Sequence, residues 1–200
     1  MRSLSILMFA AAGVAPAHAQ VAATLYIDND VAGDVQSGRL GLGAQAGYYF
    51  GGRIGLELDG ELHGHFFRDE DVASRQPMGV DLNTSAALAS GNIVVPYCLR
   101  GAAGTWCPYA TTGVGVVYEV FKGIAHGPDV DDFDHRALDF AVNAGIGVTH
   151  ALTRWIGLRV DARYLHAFVD ESTAGATYPK DFGHWRVSVG VTFGGPHTDR

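Results

Sequence analysis

Charged residues recur at every second position in two segments of this chain. Glu57, Asp59 and Glu61 alternate with Leu56, Leu58, Gly60 and Leu62, and Arg159, Asp161 and Arg163 alternate with Leu158, Val160, Ala162 and Tyr164. Side chains two apart on a strand share a face, so each triplet sets three ionisable groups in line, opposite an apolar face. Glu119, Asp139 and Arg186 hold equivalent positions in other segments. If the polar faces point into an enclosed lumen, these groups form a buried ion-pair network, because an unpaired buried charge is very costly. Such a network either gates a narrow polar conduit or plugs the lumen and fixes strand register. The plug is the expected role, since interiors of eight-stranded barrels are mostly filled.

Two other clusters invite a metal reading. His63 and His65 lie on one face with Glu61 if the strand is regular, but a metal centre needs at least three converging ligands, and polar rim residues are the expected identity. Asp129, Asp131, Asp132 and Asp134, with His126 and His135, offer calcium-like oxygen spacing. The run has neither an internal glycine nor a distal Glu in EF-hand register, so it reads as a solvated acidic loop. No metal and no other cofactor is expected. Cys98 and Cys107 are the only cysteines; in an exported chain they are expected to pair, at a stabilisation of about 2–3 kcal/mol. A net charge of −7 leaves no basic footprint for nucleic acid.

The elements that must position these groups are strands. Residues 1–19 read as a signal peptide: Arg2, an apolar run from Leu4 to Val14, then Ala17-His18-Ala19 as a cleavage site. The run is too short to span about 30 Å of hydrocarbon. Residues 20–193 then read as one barrel domain and 194–200 as a short tail. Period-2 alternation marks strands over 21–27, 39–50, 53–67, 80–95, 109–121, 136–149, 155–169 and 184–193, eight in all. Long polar loops alternate with short turns such as Gly51-Gly52, and the cysteines staple the turn at 96–108. This predicts an all-β, eight-stranded antiparallel up-and-down transmembrane β-barrel.

Alternation also fits a soluble lipocalin-like binding barrel, turned the other way out. Small residues on the polar faces, apolar faces free of charge, and aromatics near the apolar-face ends (Tyr48, Phe50, Phe66, Trp185, Phe193) favour the membrane. Closure then requires the weak first strand to pair with the last, because lipid cannot satisfy open edges.

Leu40-Gly41-Leu42-Gly43-Ala44-Gln45-Ala46-Gly47-Tyr48, Ala141-Val142-Asn143-Ala144-Gly145-Ile146-Gly147-Val148, Leu158-Arg159-Val160-Asp161-Ala162-Arg163-Tyr164 and Val187-Ser188-Val189-Gly190-Val191-Thr192-Phe193 resemble strands of the OmpA-like/opacity outer membrane β-barrel superfamily, the porin family proteins. The resemblance covers nearly the whole mature chain. It implies a bacterial outer-membrane location, contact with membrane lipid and lipopolysaccharide, and insertion by the barrel assembly machinery. Such chains usually end on the aromatic residue read by that machinery, whereas here Gly194 to Arg200 follow Phe193. Arg163-Tyr164-Leu165-His166-Ala167-Phe168 also resembles the His-x-Ser segment of outer-membrane lipid A deacylases. Phe168 stands where the serine nucleophile would be, so no enzyme activity is expected. The expected role is structural or surface interaction, with acidic loops outside and an unknown extracellular ligand; a small-solute pore is the alternative.

Overall fold

The computed structural model describes residues 19–51, 53–67, 80–101, 104–125, 133–169 and 181–194. Its long strands are β1 (Ala19–Gly33), β2 (Leu40–Phe50), β3 (Ile54–Gly64), β4 (Val80–Pro96), β6 (Gly104–Ala125), β7 (Phe133–Ala151), β8 (Ile156–Phe168) and β9 (Phe182–Gly194), with a three-residue β5 (Leu99–Gly101). All pairings between them are antiparallel, and each long strand pairs with its neighbours along the chain. The first and last also pair, from Ala22 opposite Gly194 to Gly33 opposite His184, so the sheet closes as an eight-stranded barrel. The weak first strand is longer than its alternation suggested. It runs on through Asp28-Asn29-Asp30, with a bulge between Asp30 and Ala32.

The cysteine-bearing turn is a continuation of the β4–β6 hairpin. Pro96 faces Tyr109 and Leu99 faces Trp106, which puts Cys98 directly opposite Cys107, and the two form a disulfide across the ladder. This hairpin, the turn after Phe50 and the turn between Ala151 and Ile156 share one rim with both strand termini. The sites of the long loops share the other. Of the acidic cluster at 126–135, residues 126–132 fall outside the described residues, whereas Asp134 and His135, expected in the loop, stand in β7 opposite Lys122 and Phe121. The loop at 68–79, residues 1–18, the loop at 170–180 and the tail beyond Gly194 also lie outside them.

The wall has its apolar face outward. Val21, Leu25, Ile27, Leu42, Leu56, Leu62, Ile146, Val189 and Phe193 are all exposed, and Leu58 is 71% exposed. Their alternate neighbours Thr24, Gln45, Glu57, Asp161 and Ser188 are buried. A soluble barrel would bury the first set, so the lipocalin-like arrangement does not apply.

One aromatic expectation fails. Phe66 lies inside the barrel and not in an interfacial girdle. His65 takes a left-handed conformation (φ 53°), which ends the period of β3 and turns both Phe66 and Phe67 inward. The same break leaves His65 exposed, away from His63.

Because Leu58 sits midway along β3 on the lipid face, Leu58→Arg is expected to destabilise the folded barrel by about 2–4 kcal/mol. Urea titration of barrels folded in lipid vesicles measures the loss.

Candidate functional site

The strand order sets β3 and β8 on opposite walls, with β1 and β9 between them along one side. The carboxylates of β3 and the arginines of β8 therefore meet across the lumen. Arg159 grips Glu57 with two hydrogen bonds, Nη1 to Oε2 at 2.6 Å and Nη2 to Oε1 at 3.1 Å. Arg163 donates from Nε to Asp161 at 2.7 Å, from Nη1 to Asp59 at 3.0 Å and from Nη2 to Glu57 at 3.1 Å. Arg186, from β9, reaches Asp59 at 3.2 Å and pairs with Glu61. Fork-shaped guanidinium groups suit this shared bidentate geometry.

Three tyrosines extend the network. Tyr26 donates to Asp59 at 2.6 Å, and Tyr109 donates to Asp161 at 2.6 Å while accepting from Arg159 Nε at 2.7 Å. Tyr49 donates to Glu57 at 3.4 Å. Two of the rings also lie under cations, with Arg159 Cζ 4.4 Å from the Tyr109 centroid and Arg186 Cζ 5.4 Å from that of Tyr26. Their packing needs glycine on the adjoining strand. A Cβ at Gly43 would fall 2.1 Å from the Tyr26 ring, and one at Gly147 would fall 2.2 Å from the Tyr109 hydroxyl.

Seven of the sequence-derived residues thus converge: Glu57, Asp59, Glu61, Arg159, Asp161, Arg163 and Arg186. Glu119 and Asp139 are buried too, but they stand on β6 and β7, outside the set of carboxylates that the three arginines contact. The sequence reading missed the tyrosines, although Tyr49 does fall on the polar face of β2. It also missed Asp28, Asp30 and His184, which lie buried beside His63. Their positions on inward faces were the available signal.

Apolar layers close the lumen beyond the charges. Toward the long-loop rim, Phe67 stacks on Phe121 with centroids 5.2 Å apart, and Phe66 and Phe182 pack against Phe67 edge to face. Val35, Leu88, Val117 and Leu165 complete that cluster. Toward the short-turn rim, Tyr49, Tyr109, Val94 and Ala22 form a second one. Between them, against β4, β6 and β7, lies a void of about 10 Å³ lined in part by Asp59, Asn143, Arg163 and Arg186, room for about one water.

A closed eight-stranded wall with an apolar exterior and a polar, filled interior is the architecture of small outer-membrane barrels. The model of the outer membrane protein beta-barrel domain matches residues 4–193. The chain belongs to this family. As a member of the outer membrane protein beta-barrel family, it is a protein of the bacterial outer membrane. Among solved structures, the N-terminal barrel domain of OprF from Pseudomonas aeruginosa is similar at 15% identity, with a TM-score of 0.53 over 88% of this chain and 96% of that one. Ail, the attachment invasion locus protein of Yersinia pestis, is similar at 12% identity, with a TM-score of 0.53 over 88% and 97%. A major outer membrane protein from Thermus thermophilus reaches a TM-score of 0.59 at 8% identity, over 87% and 99%. No curated protein matches the chain by sequence.

Arg163 contacts three carboxylates and is fully buried. Replacing it by Leu strands them, so Arg163→Leu is expected to lower stability by about 3–5 kcal/mol. Exposed Arg154, replaced by Leu, should cost within about 0.5 kcal/mol. Denaturation midpoints of the two variants make the comparison.

Proposed function

We propose that this chain is a non-conducting outer-membrane barrel with a structural or surface-interaction role. The observation that carries the reading is the stack of three layers across the lumen: the Tyr49–Tyr109 cluster, the arginine–carboxylate network and the phenylalanine plug. A solute would have to separate paired charges that have no bulk water to receive them. The long loops face the exterior and carry acidic residues; the short turns, with the disulfide hairpin, face the periplasm.

Its partners follow from that placement. Membrane lipid and lipopolysaccharide contact the apolar wall, the barrel assembly machinery inserts it, and an extracellular ligand meets the loops. No catalytic step is part of the reading. His166 lies toward the outer face with its ring 4.7 Å from that of Phe168 and 6.4 Å from that of Tyr164, and Phe168 stands where the deacylase-like segment would carry its serine.

Single-channel recording in planar bilayers tests the reading. Folded protein is expected to give no discrete conductance. Discrete channels whose ion selectivity shifts in Arg163→Gln would establish a pore instead.

A further inference from the structure

The geometry points to a second feature of the lumen: a buried binding site for one divalent transition-metal ion, held by Asp28, Glu61 and His63. Between the arginine network and the phenylalanine plug, one oxygen from each carboxylate and one imidazole nitrogen lie within 4.8 Å of one another. His63 Nε2 is 3.4 Å from Asp28 Oδ1 and 3.7 Å from Glu61 Oε1. Donors held about 2.1 Å from a tetrahedral metal lie about 3.4 Å apart, so these separations suit edges of one coordination shell. An imidazole with two carboxylates suits zinc and its divalent neighbours; calcium, which takes oxygen ligands alone, fits less well.

Hydrogen bonding points the same way. Both Asp28 oxygens, Glu61 Oε1 and both His63 nitrogens are buried without a hydrogen-bond partner. A buried polar atom in that condition costs about 1–3 kcal/mol, more if charged. Charge adds to the argument. On this side of the lumen six buried carboxylates (Asp28, Asp30, Glu57, Asp59, Glu61 and Asp161) face three arginines. Among the described residues here the carboxylates outnumber the guanidinium groups, and a divalent ion would offset part of that excess.

The surroundings are built for one. Asp28, Gly41 and His63 lie in register across β1, β2 and β3. A Cβ on Gly41 would fall 2.3 Å from Asp28 Oδ1 and 2.5 Å from His63 Cε1, so only glycine leaves the space open. Asp30 Oδ2 stands 3.4 Å from His63 Nδ1, placed to hold the ring with Nε2 toward the ion, and His184 Nε2 stands 3.3 Å from Asp30 Oδ1. A slight closing of the Asp30–His63 gap would complete the carboxylate–histidine–metal arrangement that orients a ligating imidazole. The Phe66 ring, 5.5 Å from His63 and 5.4 Å from His184, covers the site from the long-loop side.

Elemental analysis of tag-free barrel folded with Zn²⁺ and then dialysed tests the assignment, with Co²⁺ substitution giving an optical spectrum of the coordination shell. The expected result is one ion per chain, lost in His63→Gln and kept in His65→Ala, with heat-modifiable gel migration showing that each variant is folded. Asp30→Asn should retain the ion about 10–100-fold more weakly. A wild-type barrel holding no stoichiometric ion would overturn the assignment whatever the variants do. So would an ion that His63→Gln retains, or one that His65→Ala loses.

Discussion

The ladder between β1 and β9 is the interaction on which the rest of this barrel depends. Lipid offers no hydrogen bonds, so each edge strand must find a partner within the chain. Pairing Ala22 with Gly194 through Gly33 with His184 meets that demand. It also fixes everything inside. Closing eight strands gives a lumen only wide enough for side chains, and it carries β3 to the wall opposite β8. The carboxylates on one and the guanidinium groups on the other then span the diameter. A chain that closed with a different strand number could not bring Glu57 to Arg159.

Filling so narrow a lumen with large polar groups requires space from the wall itself. The sheet supplies it with glycine. Tyr26 and Tyr109 lie where Gly43 and Gly147 have no side chain, and Tyr49 lies against Gly55. The abundance of glycine on the polar faces is thus a packing device more than a conformational one. The barrel inverts the usual globular layout, with apolar side chains solvated by lipid and a core held by charge-assisted hydrogen bonds between Arg159, Arg163, Arg186 and their carboxylates.

Much of this was legible in the chain. The lipid face follows from the uninterrupted alternation of residues such as Leu56, Leu58 and Leu62, and closure follows from the bilayer. The disulfide follows from two cysteines in an exported hairpin. The plug was hidden for a local reason. His65 leaves the strand conformation, so Phe66, which alternation assigns to lipid, enters the lumen beside Phe67. Leu88, Val117 and Leu165 were hidden for a related one, since an apolar residue facing inward looks like an error in the period. The separation of Glu119 and Asp139 from the arginines depends on which walls face each other, a property of the closed sheet that no single strand reports. Asp28, Asp30 and His184 belong to the same class: each lies near a strand end, and only closure brings them to His63.

The ion pairs join residues far apart in the chain; Arg163 to Glu57 spans 106 positions and Arg186 to Asp59 spans 127. Neither of these two can form while the sheet is open; only a local pair such as Arg163 with Asp161, both on β8, is free of that condition. The alternation that sorts residues between lipid and lumen tolerates a slip of two positions between neighbouring strands, because every side chain would still face its proper side. The charges do not tolerate it: a slip of two would set Asp161 or Gly157 where Arg159 now meets Glu57 and leave that carboxylate without its guanidinium. The network therefore serves as a check on assembly, drying out only when all eight strands have closed in the one register that pairs every guanidinium.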